Sequence, residues 1–231
     1  MVTTEGTTEL IDAIRGRLHA AADPGRAAGA QAYMKSQMPS LGVRVPEVRG
    51  IVKAAAAAHP PGSLAELQST VLALWRSASC REERYAAIEL TGLKLAAGEL
   101  SMLGLYEEII RTGAWWDLVD GVAHRLGALL QAQRAELTSV LVRWSTDEDF
   151  WVRRAAITAQ LGAKAATDTA LLGAVIKANL TDPEFFIRKA IGWALRQYAR
   201  TDPAWVRAFV QRHWDELSPL SRKEALRNLA A

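Results

Sequence analysis

Apolar residues recur three and four positions apart along almost the whole of this 231-residue chain. That spacing brings them onto one side of an α-helix, whereas a strand requires alternation with a period of two and favours β-branched residues. Such alternation is missing from the sequence. The pattern therefore predicts an all-α fold, cut by turn residues into roughly ten to twelve helices.

Capping residues and prolines predict where several helices begin. Ser63–Glu66 and Ser79–Glu82 fit the capping box, in which a hydroxyl and a carboxylate bind free amides of the first turn. Asp182–Pro183 and Asp202–Pro203 each fit an N-cap aspartate followed by a proline, whose missing N–H costs nothing at the first helical position. Helix ends are indicated at Pro60–Gly62, Gly98, Gly113 and Ser218–Pro219.

Segments of the chain also resemble one another. FWVRRAAI, from Phe150 to Ile157, is echoed about 35 positions later by FFIRKAIG, and a similar step leads to SRKEAL at Ser221–Leu226. RYAAIEL, at Arg84–Leu90, lies about two such steps earlier. This period is typical of HEAT- or armadillo-type α-solenoids, whose helix pairs stack into a curved array with a concave surface. With no long linker, residues 1–231 are expected to form one such domain, the alternative being an irregular helical bundle.

Cations gather on one face of the helix predicted between Pro183 and Arg200. Its core stripe consists of apolar residues from Ile187 to Tyr198. In the preceding repeat, Arg154 is likewise expected to point away from the core. Clustered cations around an aromatic ring are how proteins follow a phosphate backbone, although a charged face is more often merely solvated. At about 100° per residue, a second set lies roughly opposite the core stripe: Lys189, Trp193, Arg196 and Arg200.

Composition narrows the chemistry further. The formal net charge of +3 and the pI near 9.2 permit a polyanionic partner. Cys80 is the only cysteine and the four histidines are scattered, so neither a metal site nor a cofactor is expected. The N-terminus lacks the features of a signal peptide, and no window approaches the ~18 apolar residues of a membrane span. We therefore expect a cytoplasmic protein without a membrane partner.

The segment WWDLVD places an aromatic ring and a carboxylate one helical turn apart. Trp115 is assigned to the core stripe of its helix, whereas Trp116, Asp120, Ala123 and Gly127 share an adjacent face. A large ring, a carboxylate and two small residues would form a half-open pocket. The alternative is that Asp120 merely pairs with an arginine of the next helix, since structural ion pairs outnumber catalytic carboxylates.

Few reactions suit one carboxylate without a metal, a nucleophile–base pair or a phosphate-binding loop. Cleavage of an N-glycosidic bond is one of them, because its oxocarbenium-like transition state requires a nearby negative charge and contacts that hold the sugar. A purine that alkylation has already made cationic leaves without a general acid. One aspartate and two tryptophans would then suffice.

The sequence resembles the AlkD-type family of HEAT-repeat alkylpurine DNA glycosylases. The resemblance covers nearly the whole chain and rests on AYMKSQMPSLGVRVPEVR, WWDLVD, FWVRRAAI and EFFIRKAIGWALRQYAR. It implies that Trp116 and Trp193 flank the lesion nucleotide and that Asp120 is the catalytic carboxylate. It also implies that Arg154 contacts the DNA near this carboxylate and that Tyr33 lines the same cleft.

The resemblance further implies what the protein acts on. Members of this family excise positively charged N3- and N7-alkylpurines from duplex DNA, some bulky adducts included, without extruding the base, and leave an abasic site. Lys189, Arg196 and Arg200 would contact phosphates of that duplex. A monomer associated with the nucleoid of a prokaryotic cell is expected. A HEAT-repeat scaffold that binds DNA without catalysis, or that binds proteins, remains the alternative.

Overall fold

The computed structural model describes residues 5–229, and the regular structure within this range is entirely helical. The all-α prediction is confirmed, with slightly more helices than the sequence pattern predicted. Short 3₁₀ turns lie at Lys94–Ala96, Leu100–Met102 and Lys164–Ala166. The thirteen α-helices of these residues are α1 (Glu5–Ala20), α2 (Pro24–Met34), α3 (Val45–Ala58), α4 (Leu64–Arg76), α5 (Arg81–Leu90), α6 (Leu103–Gly113), α7 (Trp116–Ala132), α8 (Arg134–Trp144), α9 (Phe150–Thr158), α10 (Thr169–Lys177), α11 (Phe185–Tyr198), α12 (Pro203–Arg212) and α13 (Pro219–Ala225).

Several helices begin at the residues that the sequence marks. Ser63 caps α4, where its hydroxyl accepts a hydrogen bond of 3.2 Å from the amide of Glu66. Asp202 caps α12 in the same way, as predicted. Ser218 and Pro219, interpreted as a helix end, instead begin α13, with the Ser218 hydroxyl as the cap and the proline in the first turn. An N-cap serine and a following proline define a helix start, so the assignment to an end was wrong.

The capping box predicted at Ser79–Glu82 is wrong. The Ser79 hydroxyl donates instead to the carboxylate of Glu83, at 2.9 Å. Glu82 points toward the loop before α3, where it accepts hydrogen bonds from the Ser40 hydroxyl at 2.7 Å and from the Gly42 amide at 2.9 Å. A buried loop amide without a partner costs free energy, and the carboxylate of Glu82 satisfies this need.

The helix start predicted at Asp182–Pro183 is also wrong, because α11 begins at Phe185. Glu184 is its N-cap, and the carboxylate of Asp182 forms a salt bridge of 2.8 Å with Arg153. The Asp182 carboxylate, which the local sequence assigned to the N-cap, therefore forms a long-range ion pair instead.

The contacts divide the chain into two compact units, with the boundary between Leu105 and Tyr106. In the first unit, α1 packs against α3 and α4, and α5 packs against the same two helices. A single domain over residues 1–231 stays a prediction. The interior of the first unit is apolar and includes Leu10, Ile14, Leu67, Leu74 and Trp75.

In the second unit, alternate helices pack side by side. Helix α7 packs on α9, α9 on α11 and α11 on α13, while α8 packs on α10 in a second layer. The echoing segments occupy equivalent places, since Val152, Ile187 and Ser221 are each the third residue of their helix and all three are buried. The predicted helical repeats are thus confirmed here as stacked helix pairs. Within residues 5–229 no helix is long and apolar enough to cross a bilayer.

Candidate active site

Helix α7 begins within the WWDLVD segment. Ala114 has a left-handed backbone conformation (φ 42°), and Trp115 is extended and serves as the N-cap, so that Trp116 is the first helical residue. Asp117 lies in the first turn, where a negative charge complements the helix dipole. The adjacent tryptophans therefore differ in backbone conformation.

Trp115 packs into an aromatic cluster at the beginnings of α9 and α11. Its ring centroid lies 6.1 Å from that of Trp151 and 5.5 Å from that of Phe186, in tilted and edge-on arrangements that suit aromatic pairs. Its indole N–H is buried and has no partner among the described residues, which indicates apolar surroundings. Trp115 is half-buried, like Trp116, and so does not belong to the buried core stripe as predicted, but the cluster gives it a packing role.

Replacing the two tryptophans singly should separate their roles. We expect Trp115→Ala to lower the free energy of unfolding by about 3 to 5 kcal/mol, as large aromatic truncations do. Trp116→Ala should change the melting temperature little and should lower base excision. Thermal melts of both variants check this, and a larger loss of stability from Trp116→Ala would show that the assignment is reversed.

Asp120, one turn after Trp116, forms a bidentate ion pair with Arg154 of α9. The guanidinium donates from Nε to Oδ1 at 2.9 Å and from Nη2 to Oδ2 at 2.8 Å. Its Nη1 also donates to the backbone carbonyl of Phe186, at 2.7 Å. Arg154 thus connects the carboxylate on α7 to the beginning of α11, the helix that carries Trp193.

The expectation that Arg154 points away from the core is wrong. The residue is only 5 % exposed, because the neighbouring helices α7 and α11 cover both flanks of α9. A buried guanidinium requires a counter-charge, and Asp120 supplies it. The structure therefore contains the alternative that the sequence left open, an ion pair between Asp120 and an arginine. This arginine lies on α9 rather than on the next helix, α8.

The Asp120 carboxylate keeps a small exposed fraction of 15 %. Burial raises its pKa above the ordinary value, while the hydrogen bonds and charge of Arg154 lower it and oppose that rise. The net result is a pKa above the ordinary value, although the always-protonated guanidinium on both oxygens favours the ionised form. Since each carboxylate oxygen has a second lone pair, the group can still accept a hydrogen bond from water.

The small residues further along this face of α7 do not leave an open pocket. Ala123 is buried, and a Cβ atom added to Gly127 would lie 2.7 Å from the carbonyl oxygen of Ala159. Their small size lets α9 approach α7 closely. The predicted half-open pocket is wrong for this part of the face.

Lys189 and Arg196 lie within one turn of Trp193 on α11, and Arg200 follows the end of this helix. Trp193 is half-buried. Of the predicted core residues, Ile187, Ile191 and Ala194 are buried, whereas Tyr198 is only half-buried. Arg200 is exposed. A residue that sequence reasoning missed, Glu224 of α13, forms ion pairs with both Lys189 and Arg196. The sequence feature that could have identified Glu224 is its spacing from Lys189. The pairs Lys189–Glu224 and Asp120–Arg154 each join neighbouring helices at equivalent places of the repeat.

Two further expectations concern Tyr33 and metal binding. Tyr33 lies in α2 of the first unit and is 73 % exposed, whereas Trp116, Asp120 and Trp193 all belong to the second unit. Its place in the same cleft therefore stays a prediction. Across residues 5–229, no three histidine, cysteine or carboxylate side chains gather as metal ligands would.

Comparison with known families gives a match over most of the chain. The sequence model of a family described as "DNA alkylation repair enzyme" matches residues 14–229. This range includes Trp116, Asp120, Arg154 and Trp193. No curated protein matches the chain significantly.

Solved structures provide further similar proteins. A protein described as a predicted DNA alkylation repair enzyme from Enterococcus faecalis is 32 % identical, with a TM-score of 0.81 over 90 % of this chain and 97 % of that chain. AlkD2 from Streptococcus mutans is 15 % identical, with a TM-score of 0.63 over 82 % and 92 %. The smu.31 protein of Streptococcus mutans UA159 is 14 % identical, with a TM-score of 0.61 over 80 % and 98 %. The last two likenesses concern the fold alone.

Proposed function

Because the chain belongs to the DNA alkylation repair enzyme family, we propose that it hydrolyses the N-glycosidic bond of positively charged N3- and N7-alkylpurines in duplex DNA. The product is an abasic site. The single observation that carries this proposal is Asp120, a partly exposed carboxylate that Arg154 holds by both oxygens one turn from Trp116.

In the proposed reaction Asp120 acts through its charge. The bond between C1′ of the deoxyribose and the purine breaks, and its electron pair goes to the base, whose positive charge is thereby neutralised. Positive charge then develops on the sugar, where a fixed carboxylate in a partly dehydrated site stabilises it. A water molecule oriented by Asp120 bonds to C1′ and releases its proton to solvent.

Arg154 has a positioning role in this proposal. Its two hydrogen bonds to Asp120 and its third to the Phe186 carbonyl fix the carboxylate before DNA binds. Such preorganisation avoids a reorientation cost during the reaction. The direct contact between Arg154 and DNA, implied by the family resemblance, stays a prediction.

Trp116 and Trp193 are proposed to hold the lesion nucleotide. Both are half-buried, so part of each indole is available to a sugar or base. Flat aromatic faces contribute about 1 to 3 kcal/mol per stacked base without discriminating sequence. Excision without base extrusion, which the family resemblance implies, is compatible with this arrangement, because the carboxylate needs to reach the sugar rather than the base. A cytoplasmic monomer beside chromosomal DNA remains the expected setting.

Release of damaged bases from methylated DNA tests the proposal. Duplex DNA treated with a methylating agent is incubated with the protein, and free bases are quantified by mass spectrometry against a protein-free control. We expect 3-methyladenine and 7-methylguanine to be released, and neutral uracil in a matched duplex to remain. Tight binding without release would favour the non-catalytic DNA-binding scaffold, and absence of DNA binding would favour a protein-binding scaffold.

The affinity for DNA should depend on salt concentration through the cations on α11 and just after it. Each phosphate contact contributes about −0.9 to the slope of log K against log salt concentration. Replacing Arg196 and Arg200 together by alanine should flatten that slope by up to about two units. Replacing Lys177 and Arg212 of α10 and α12 removes the same charge elsewhere and should flatten it less. Equal slopes for both double variants would show that α11 does not form the DNA-binding face.

A further inference from the structure

Glu224 on α13 is surrounded by three cations. Its carboxylate lies 3.3 Å from Nζ of Lys189 and 3.9 Å from Nη1 of Arg227, and it also pairs with Arg196. Only 12 % of its side chain is exposed. Although burial raises the pKa of Glu224, the charges of Lys189, Arg196 and Arg227 outweigh that effect, so that the pKa lies below its ordinary value. The carboxylate is therefore ionised, and the cluster keeps a net positive charge.

The position of Glu224 is fixed by a close approach of α13 to α11. A Cβ atom added to Gly192 would lie 2.5 Å from Cβ of Glu224 and 3.0 Å from the carbonyl oxygen of Ser221. The Ser221 hydroxyl also donates to the Arg188 carbonyl of α11, at 2.9 Å. Glycine at position 192 thus allows the glutamate to reach the surface of α11 beside Trp193.

The two cations that Glu224 holds flank Trp193. Lys189 precedes the tryptophan by one turn and Arg196 follows it by about one turn, so all three side chains are neighbours on one face of α11. The side chain of Lys189 is 39 % exposed and that of Arg196 is 22 % exposed. Both therefore remain accessible to a second negatively charged group while Glu224 restricts their rotamers.

A role in folding alone does not account for this arrangement. Partly exposed ion pairs contribute little to stability, about 0 to 1 kcal/mol each. A carboxylate beside a DNA-binding face also opposes the attraction of phosphates. The two ion pairs of Glu224 instead fix the positions of two positive charges, Lys189 and Arg196, on either side of the Trp193 indole.

We propose that Glu224 is a positioning residue that holds Lys189 and Arg196 on either side of Trp193, so that the indole and the two cations meet the damaged strand in one arrangement. The inference rests on the proposed function. The inference predicts that Glu224 has opposite effects on the affinity for DNA and on the excision rate. Glu224 weakens general attraction to DNA through its charge, and it speeds excision by fixing the groups that orient the lesion.

The variant Glu224→Gln tests this prediction. It should bind undamaged duplex as tightly as the wild type or more tightly. Its single-turnover excision rate at saturating protein should fall by about 10- to 100-fold, the range expected when orienting groups are misplaced. Glu216→Gln removes the same charge from an exposed glutamate next to α12 and should leave the rate unchanged. Glu224→Asp, which keeps the charge on a shorter stem, should recover part of the rate.

A double-mutant cycle separates positioning from a purely structural effect. In a protein that already carries Lys189→Ala and Arg196→Ala, Glu224→Gln should cause no further loss of rate, because the groups it positions are absent. A full additional loss in that background, or parallel losses of binding and rate in Glu224→Gln alone, would overturn the inference. If Glu224→Gln does not fold, the rates of Glu224→Asp and of the wild type supply the comparison, and equal rates overturn it.

The outcomes also distinguish this inference from the proposed function. A wild-type protein that releases no alkylpurine overturns the proposed function and, with it, the role of Glu224. Release by the wild type with an unchanged rate in Glu224→Gln overturns only the positioning role.

Discussion

Asp120→Asn is expected to lower the single-turnover rate of 7-methylguanine release by roughly 100- to 1000-fold, or about 2.7 to 4 kcal/mol of transition-state stabilisation. The amide keeps the shape of the side chain and removes the charge that faces the developing sugar cation. Binding of lesion DNA should change far less than the rate. Parallel binding curves and single-turnover time courses measure the two effects separately.

The lesion should modulate the size of this effect. A cationic base such as 7-methylguanine still leaves slowly from Asp120→Asn, because its own charge drives departure. Equal losses in binding and in rate, or a rate close to that of the wild type, would contradict the charge-stabilisation role. Either result would favour a structural ion pair with Arg154 as the only function of Asp120.

Arg154→Met is expected to lower the stability of the protein strongly. It leaves the buried Asp120 carboxylate without its counter-charge, and breaking a buried pair from one side typically costs about 3 to 5 kcal/mol of unfolding free energy. Loss of the guanidinium also removes what opposes the burial-driven rise in the pKa of Asp120. Thermal or denaturant unfolding of the variant at neutral pH checks the loss.

The pH dependence of this variant has a definite sign. With the folded-state pKa of Asp120 raised above its unfolded value, the loss of stability is fully present above the raised pKa and shrinks as the pH falls through it. Excision requires the ionised group, so its acid limb should move to higher pH than in the wild type. A stability deficit that does not shrink at any point as the pH is lowered from neutral to the ordinary pKa of an aspartate would contradict this expectation.

The double variant Asp120→Asn with Arg154→Met separates the two roles of the ion pair. Removing both charges should recover a large part of the stability, because no uncompensated buried charge remains. Excision should not recover with it. Recovery of both properties together would show that Asp120 acts on excision only through folding.

The helical repeats and the aromatic pair were predictable because they follow local rules. Helical periodicity places Trp116 and Asp120 one turn apart, and it placed Ile187 and Ile191 in the core correctly. The echo of FWVRRAAI in FFIRKAIG likewise marks helices that pack side by side in the second unit. These features depend on residues a few positions apart, or on repetition of one pattern.

The partners of the charges were not predictable in the same way. Periodicity within α9 placed Arg154 opposite the core, yet both flanks of α9 are covered by neighbouring helices, and Arg154 is buried against Asp120. The role of Glu224 depends on how closely α13 approaches Gly192. Such distances between helices are properties of tertiary packing, which a helical pattern does not contain.

The proposed role of Asp120 in cleaving the bond between deoxyribose and a cationic alkylpurine is tested by following both reaction products. A duplex with a single 7-methylguanine is incubated with excess wild-type protein or Asp120→Asn, and the free base and the abasic strand are quantified over time. We expect both products to appear together, in equal amounts and faster than without protein, and we expect Asp120→Asn to slow both by at least about 100-fold. Release by the wild type at the protein-free rate, or by both proteins at the same rate, would contradict it.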